Sequence, residues 1–185
     1  IRKNPLRALQ VHGGKLVGNR ILFLCLVAVV YLWSLGLLFQ LNMALYGKDV
    51  LGLEPSQTGF PMAIVAVGVG IGNIVAGYAS GRTIEFGIVP IASLGMGLSA
   101  VAFFFAAMVP ITSYALVAVL GFFAGLYVVP THALLQEESA DRDKGGVWAA
   151  TNFVQTLGML TAAGIFAALE FLKLSPPTIF LVCGI

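Results

Sequence analysis

Residues 121–155 read GFFAGLYVVPTHALLQEESADRDKGGVWAATNFVQ. The stretch is apolar, then charged, then apolar again. Its first part has the composition of a membrane helix, with a Gly-xxx-Gly step at Gly121 and Gly125 and an internal proline, Pro130. His132 and Gln136 follow one turn apart on one face, then a charged loop from Glu137 to Lys144. The next helix opens with Trp148, Asn152 and Gln155. Two apolar segments that carry polar groups and meet at a charged hairpin point to a pathway through a membrane.

Composition supports this. Of 185 residues, 59% are hydrophobic and 10% charged, and the mean hydropathy is +0.97, whereas soluble domains carry about 25% charged residues. The net charge of +2, with no aromatic-interleaved basic patch, excludes a nucleic-acid partner. Cys25 and Cys183 both stand in apolar runs with no Cys/His cluster, and read as inert packing residues. No cofactor or metal is expected. The start at Ile1 and the apolar run ending at Ile185 read as a piece of a larger polytopic protein.

Outward from the hairpin, the pattern resolves into spans at about 21–46, 58–80, 88–108, 114–136 and 147–169, with a sixth starting at about 177. Residues 1–20 hold five basic groups and no acid, and read as a surface linker. Ser56 reads as the cap of the second span. Pro110, Thr112 and Ser113 read as an uncharged turn before the fourth. Gly68, Gly72, Ala76 and Ser80 form a small-residue stripe, continued by Gly77 and Gly81 on an adjacent row, of the kind that lets helices approach closely in lipid. The run from Gly68 to Val75 is not a dinucleotide fingerprint: no strand precedes it, and its third glycine is missing. Alternation of the spans puts Arg2, Lys3, Arg7, Lys15, Arg20, Arg82, Arg142 and Lys144 on one side, against Lys48 and Lys173 on the other. The basic linker is therefore expected in the cytoplasm. The expected fold is all-α, a polytopic transmembrane bundle, and its charged hairpins at different junctions of two three-span units suit an inverted repeat.

Trp33, Gly36, Gln40 and Met43 share a face of the first span, while Asn42 points elsewhere. Trp33, Gln40, Asn73, Asn152 and Gln155 are the candidates for a substrate path, since polar groups inside a span face the bundle or a wet cavity. For Asn152 and Gln155, helix-to-helix hydrogen bonding is an equal reading. Pro130 removes a backbone donor opposite the Leu126 carbonyl. It is either a hinge or a tolerated kink, with Thr131 or a neighbouring helix as partner for the freed carbonyl. His132 and Gln136 are either gate residues or solvated interfacial groups. Arg82 with Glu85, and Glu137 or Asp141 with Arg142, are candidate gate pairs or parts of solvated loops. No Asp, Glu, Lys or Arg lies deep in any span, and no catalytic constellation is present, so this segment is not expected to be an enzyme. The acyltransferase pattern His-x4-Asp is also missing; the nearest approach is His132 with Glu137.

The order of these features resembles the C-terminal half of a major facilitator superfamily transporter, from about Asn4 to the end of the chain. More narrowly, it resembles the lysophospholipid transporter branch, including the transporter-like domain fused to membrane acyltransferases in some bacteria. The resemblance rests on VVPTHALLQEESADRDKGGVWAATNF, where Pro130, Ala133, Leu134, Gln136, Arg142, Gly145, Ala149, Ala150, Asn152 and Phe153 match. His132 departs, since the family usually has Asn there. Gly77 and Arg82 match part of the superfamily's loop motif, but Gly81 replaces its acidic residue. The resemblance implies a twelve-helix fold whose N-terminal six-helix half lies elsewhere. It also implies a bacterial inner-membrane location, membrane lipid around the bundle, lysophospholipid as substrate, and a fused or associated acyltransferase as a partner. Two other readings remain: an exporter of a small soluble molecule, and a non-transporting domain that scaffolds an acyltransferase.

Overall fold

The computed structural model describes residues 13–14, 18–80, 87–106, 109–139 and 144–184. Every regular element among them is helical. The first helix, α1 (Arg20–Asp49), is 30 residues long, about 45 Å at 1.5 Å per residue. Asn19 starts it, its side-chain oxygen accepting the N–H groups of Ile21 at 2.9 Å and Leu22 at 3.4 Å. A short 3₁₀ turn (Pro55–Gln57) leads into α2 (Gly59–Ser80), and α3 (Ile88–Ala106), α4 (Pro110–Glu137), α5 (Lys144–Phe171) and α6 (Pro176–Gly184) follow. The first five helices are long and apolar enough to cross a membrane.

Two junctions differ from expectation. Ser56 does not cap α2, because it lies inside the 3₁₀ turn, which closes on itself through Glu54 N–H to Gln57 Oε1 at 3.1 Å. Pro110 opens α4 instead of belonging to a turn before it. A proline suits the first helical turn, where its missing N–H has no intrahelical acceptor to serve. Thr112 Oγ1 then donates to Val109 O at 2.7 Å.

In lipid, helix association rests on packing rather than on the hydrophobic effect, and glycines set the closest contacts. Gly68 and Gly72 of α2 face Gly121 and Gly125 of α4. A Cβ on Gly72 would run into Phe122 O, and one on Gly125 into Val69 O. The two backbones therefore touch. Ala76 continues the buried row, whereas Gly77 is exposed with open space around it. A smaller version joins α3 to α6, where a Cβ on Gly184 would lie 2.7 Å from Gly97 O.

The core is a stack of clusters along α1. Near its Arg20 end, Leu22, Cys25 and Leu26 meet Leu135 of α4 and Val147 and Ala150 of α5. Leu32 shares the next cluster with Ala76, Ala92, Leu126 and Tyr127. Near the Asp49 end, Met43 and Tyr46 pack with Phe103, Val117 and Phe180, and the Phe103 and Phe180 rings lie 4.6 Å apart. Tyr46 OH shares a buried 2.8 Å hydrogen bond with Ser113 Oγ, a contribution of about 1 kcal/mol. Asn42, fully buried, donates through Nδ2 to Pro176 O at 2.9 Å and so ties α6 to α1.

Candidate functional site

Side chains that serve a pathway must be polar and must remain outside the packed core, and the α1–α5 pair provides this combination. Leu22 and Cys25 cluster with Val147 and Ala150, and Leu38 clusters with Ala162, so the two helices run parallel in register. Between these levels Gly158 meets α1: a Cβ there would lie 2.6 Å from Val30 Cγ1 and 2.7 Å from Ser34 Oγ. Only Val147, Ala150, Thr151 and Ala162 of α5 are buried. The rest of the helix is open along most of its circumference.

Asn152 is exposed on this open side and Gln155 is half-buried at its edge. By the shared register they stand near Val27 and Val30 of α1. Trp33, 41% exposed, lies about one turn further along. Asn73 of α2 is one turn from Ala76, which shares a cluster with Leu32, so it belongs to nearly the same level as Trp33. Its Oδ1 is buried without a hydrogen-bond partner among the described residues. Gln40 is exposed but two turns beyond Trp33, about 10 Å along the axis. Trp33, Asn73, Asn152 and Gln155 thus fall within one slab of the bundle, and Gln40 lies outside it.

At the Arg20 end of the bundle, His132 of α4 meets Trp148 of α5 edge to face, with ring centroids 5.4 Å apart and planes at 81°. His132 Nε2 is buried and unpartnered among the described residues. Gln136, one turn on, is exposed. Pro130 is buried inside a helix that continues unbroken to Glu137. Thr131 does not serve the Leu126 carbonyl. Its Oγ1 donates to Tyr127 O at 2.8 Å and Val128 O at 3.0 Å, the carbonyls its own position in the helix brings within reach. Arg82, Glu85, Asp141 and Arg142, and with them both candidate gate pairs, lie outside the described residues, as do most of the linker and Gly81.

Sequence reasoning passed over Thr151 and Tyr127. Thr151 is fully buried with an unpartnered Oγ1. A second polar side chain beside Asn152 in an apolar helix was the available signal. Tyr127 OH donates to Ala28 O at 3.4 Å, the one side-chain bond from α4 to the α1 backbone among the described residues. Among the described residues no three His, Cys, Asp or Glu side chains come together as metal ligands. Ionisable Asp, Glu, Lys and Arg in the five long helices stand only at the ends: Arg20, Lys48, Asp49, Glu137, Lys144 and Glu170. Such a site can hold an uncharged or amphiphilic group through amides and an indole, but it offers no buried carboxylate to carry a proton.

The family model described as Major Facilitator Superfamily matches residues 2–163. The chain is 28% identical over 157 residues to the lysophospholipid transporter LplT of Photorhabdus laumondii subsp. laumondii. It is 29% identical over 161 residues to the protein of the same name from Cronobacter sakazakii. Each alignment covers 83% of this chain but 38% of the relative, so the chain spans well under half the length of the curated relatives it matches. No solved structure matches.

Proposed function

The chain belongs to the major facilitator superfamily, and from that premise we propose that it is the C-terminal six-helix half of a lysophospholipid transporter. The transporter moves its substrate across a bacterial inner membrane toward the cytoplasmic leaflet, where reacylation follows. The chain is an integral membrane protein with five helices of spanning length. The observation that carries the substrate reading is the confinement of all described Asp, Glu, Lys and Arg side chains to helix ends and connections, beside an open α1–α5 face bearing amides. An acyl tail needs apolar walls, and a headgroup needs only a few hydrogen-bonding groups. The names of the two relatives support the same class.

In this reading an N-terminal six-helix half, absent from the chain, rocks against this one around a central site. Trp33, Asn73, Asn152 and Gln155 line that site, and Gln40 lies toward its outer mouth. The Arg20 end is cytoplasmic, on the balance of Lys and Arg between the two sides. His132 and Gln136 then lie at a cytoplasmic gate, with Pro130 as its hinge and Arg82, Glu85 and Arg142 as its charged partners.

The test is reconstitution of the full-length parent in vesicles with fluorescent lysophospholipid in one leaflet. The reading expects flux above protein-free vesicles. Background flux together with intact reacylation by a fused or associated acyltransferase would instead make the bundle a scaffold.

A further inference from the structure

We propose that His132 is a proton-binding site that controls the Arg20 end of the bundle. Neutral, its ring packs on Trp148 and holds α4 against α5; protonated, it leaves that position and lets the end open. Its meaning as a gate rests on the transport reading above, but the movement is measured without transport.

The His132 and Trp148 rings, 5.4 Å apart and at 81°, are the aromatic contact between α4 and α5 among the described residues. Trp148 also packs on the cluster of Leu22, Cys25, Leu135 and Val147, so the pair joins three helices at one end. Further along α5, Gly158 and Ala162 meet α1 and α6 rather than α4. The hold of α4 on α5 is therefore concentrated here. On the other flank, Gly68 of α2 meets Ala118 and Gly121, and Gly72 meets Phe122 and Gly125. The same register, carried two turns on, brings Ser80 to the level of His132. Ser80 Oγ, His132 Nε2 and Thr151 Oγ1, the last one turn beyond Trp148, are all buried with no partner among the described residues. Polar groups in a settled core are nearly always paired. Three orphans within about one turn are expected where this end also has a hydrated form.

The proton selects between the two forms. In a neutral imidazole one nitrogen is a bare acceptor, whereas in the charged ring both nitrogens donate. An inward Nε2 stays unpaired as an acceptor at modest cost. A charged N–H in the same place has no acceptor, and that cost is far larger. A cation–π contact with Trp148 recovers only part of it. Lowering the pH therefore favours the open form, because the proton binds best where its site is hydrated. A ring kept only for packing needs no nitrogen: phenylalanine would fill the same place and leave no orphan.

The charges around the ring come from three helices. Arg20 opens α1, Lys144 opens α5 one turn before Trp148, and Glu137 and Glu138 stand at the end of α4. Glu138 is within electrostatic reach of Cys25, the buried titratable group of α1 at this level. At this end α2 brings only Tyr78, 86% exposed on its outer side, and α3 brings no ionisable group. None of these pairs with His132 Nε2. A ring that swings out meets exposed Gln136 one turn on and the exposed Glu137 carboxylate, at a helix C-terminus, which favours a cation. Pro130, two residues before, removes one backbone hydrogen bond and lets the last turns of α4 tilt.

The test uses the full-length protein in lipid vesicles, its native cysteines replaced, with spin labels at Ala79→Cys and Ala149→Cys and their separation read by pulsed electron paramagnetic resonance. Both positions are exposed, at the Arg20 ends of α2 and α5, and neither belongs to the proposed site. One separation is expected at about pH 8. Towards about pH 5, across the range in which histidine titrates, a longer separation should grow in. Its ratio to the first should rise by up to about tenfold per pH unit, the limit for one proton. His132→Phe keeps the packing without the proton and should stay closed throughout. His132→Asn, polar and uncharged, should show a ratio that does not change with pH. A pH response that survives in either variant assigns the titration to Glu137, Glu138 or another group and overturns the site, as does a wild-type separation that stays fixed over the whole range. Acid opening without lysophospholipid flux would refute transport and leave the proton site standing; flux with a separation independent of pH would refute the proton site alone.

Discussion

The α2–α4 pair and the α1–α5 pair are both held by glycine, but in different ways. Gly68, Gly72, Gly121 and Gly125 bring two backbones into contact over two turns, so any Cβ there meets main-chain atoms that cannot give way. Gly158 meets first the side chains of Val30 and Ser34, with the Val30 carbonyl further off at 3.8 Å, and most of α5 beyond it is exposed. The first pair is locked by main-chain contact. The second is a helix laid along α1, with its polar groups left available. A membrane bundle that must both hold its shape and present a pathway needs both kinds of contact.

The comparison breaks most readily at Gly72. Gly72→Ala should destabilise the protein by about 1–3 kcal/mol, the usual cost of overpacking, seen as a lower unfolding midpoint in mixed micelles. Gly70→Ala, one turn fraction away on the open flank, should act in the opposite direction and raise stability by about 0.5–1 kcal/mol through chain entropy. If Gly70→Ala is as damaging as Gly72→Ala, the proposed N-terminal half packs on that flank and α2 is clamped from both sides.

A smaller effect is expected at the Asp49 end. Tyr46→Phe leaves the Ser113 hydroxyl without its buried partner and should cost about 1–2 kcal/mol. On α5 the expectation is near zero: Asn152→Leu with Gln155→Leu should change stability by no more than about 0.5 kcal/mol, because neither side chain makes a buried contact that the substitution removes. At the far end of α5, Lys173 sits at φ 58 in the turn to α6. Lys173→Gly should raise the unfolding midpoint slightly, by about 0.5–1 kcal/mol of relieved left-handed strain.

The helical class was legible because each span is a long apolar run, and the Gly68–Gly72 and Gly121–Gly125 steps could be read from spacing alone. Which stripe meets which could not, since helix pairing depends on positions distant in sequence. Asn42 shows the same limit: its direction away from Gln40 follows from periodicity, but its bond to Pro176, more than a hundred residues away, does not. Ser56 and Pro110 were misread because local turn chemistry offered two starts a few residues apart, and the closing hydrogen bonds decided between them. At the candidate site, Asn152, Gln155, Trp33 and Asn73 stand out as polar or amphipathic residues in apolar helices. The displacement of Gln40 from their level required the register between α1 and α5, and the burial of Thr151 required knowing which side of α5 faces α1.

In the proposed transporter, α5 serves the pathway rather than the fold. The most direct test of this role is the Asn152→Leu, Gln155→Leu protein in the full-length parent, with unfolding midpoint and lysophospholipid flux measured on the same preparation. An unchanged midpoint is expected, with flux reduced by about tenfold or more, the loss of ~1.4 kcal/mol or more of substrate contact. Unchanged flux at an unchanged midpoint would contradict the role.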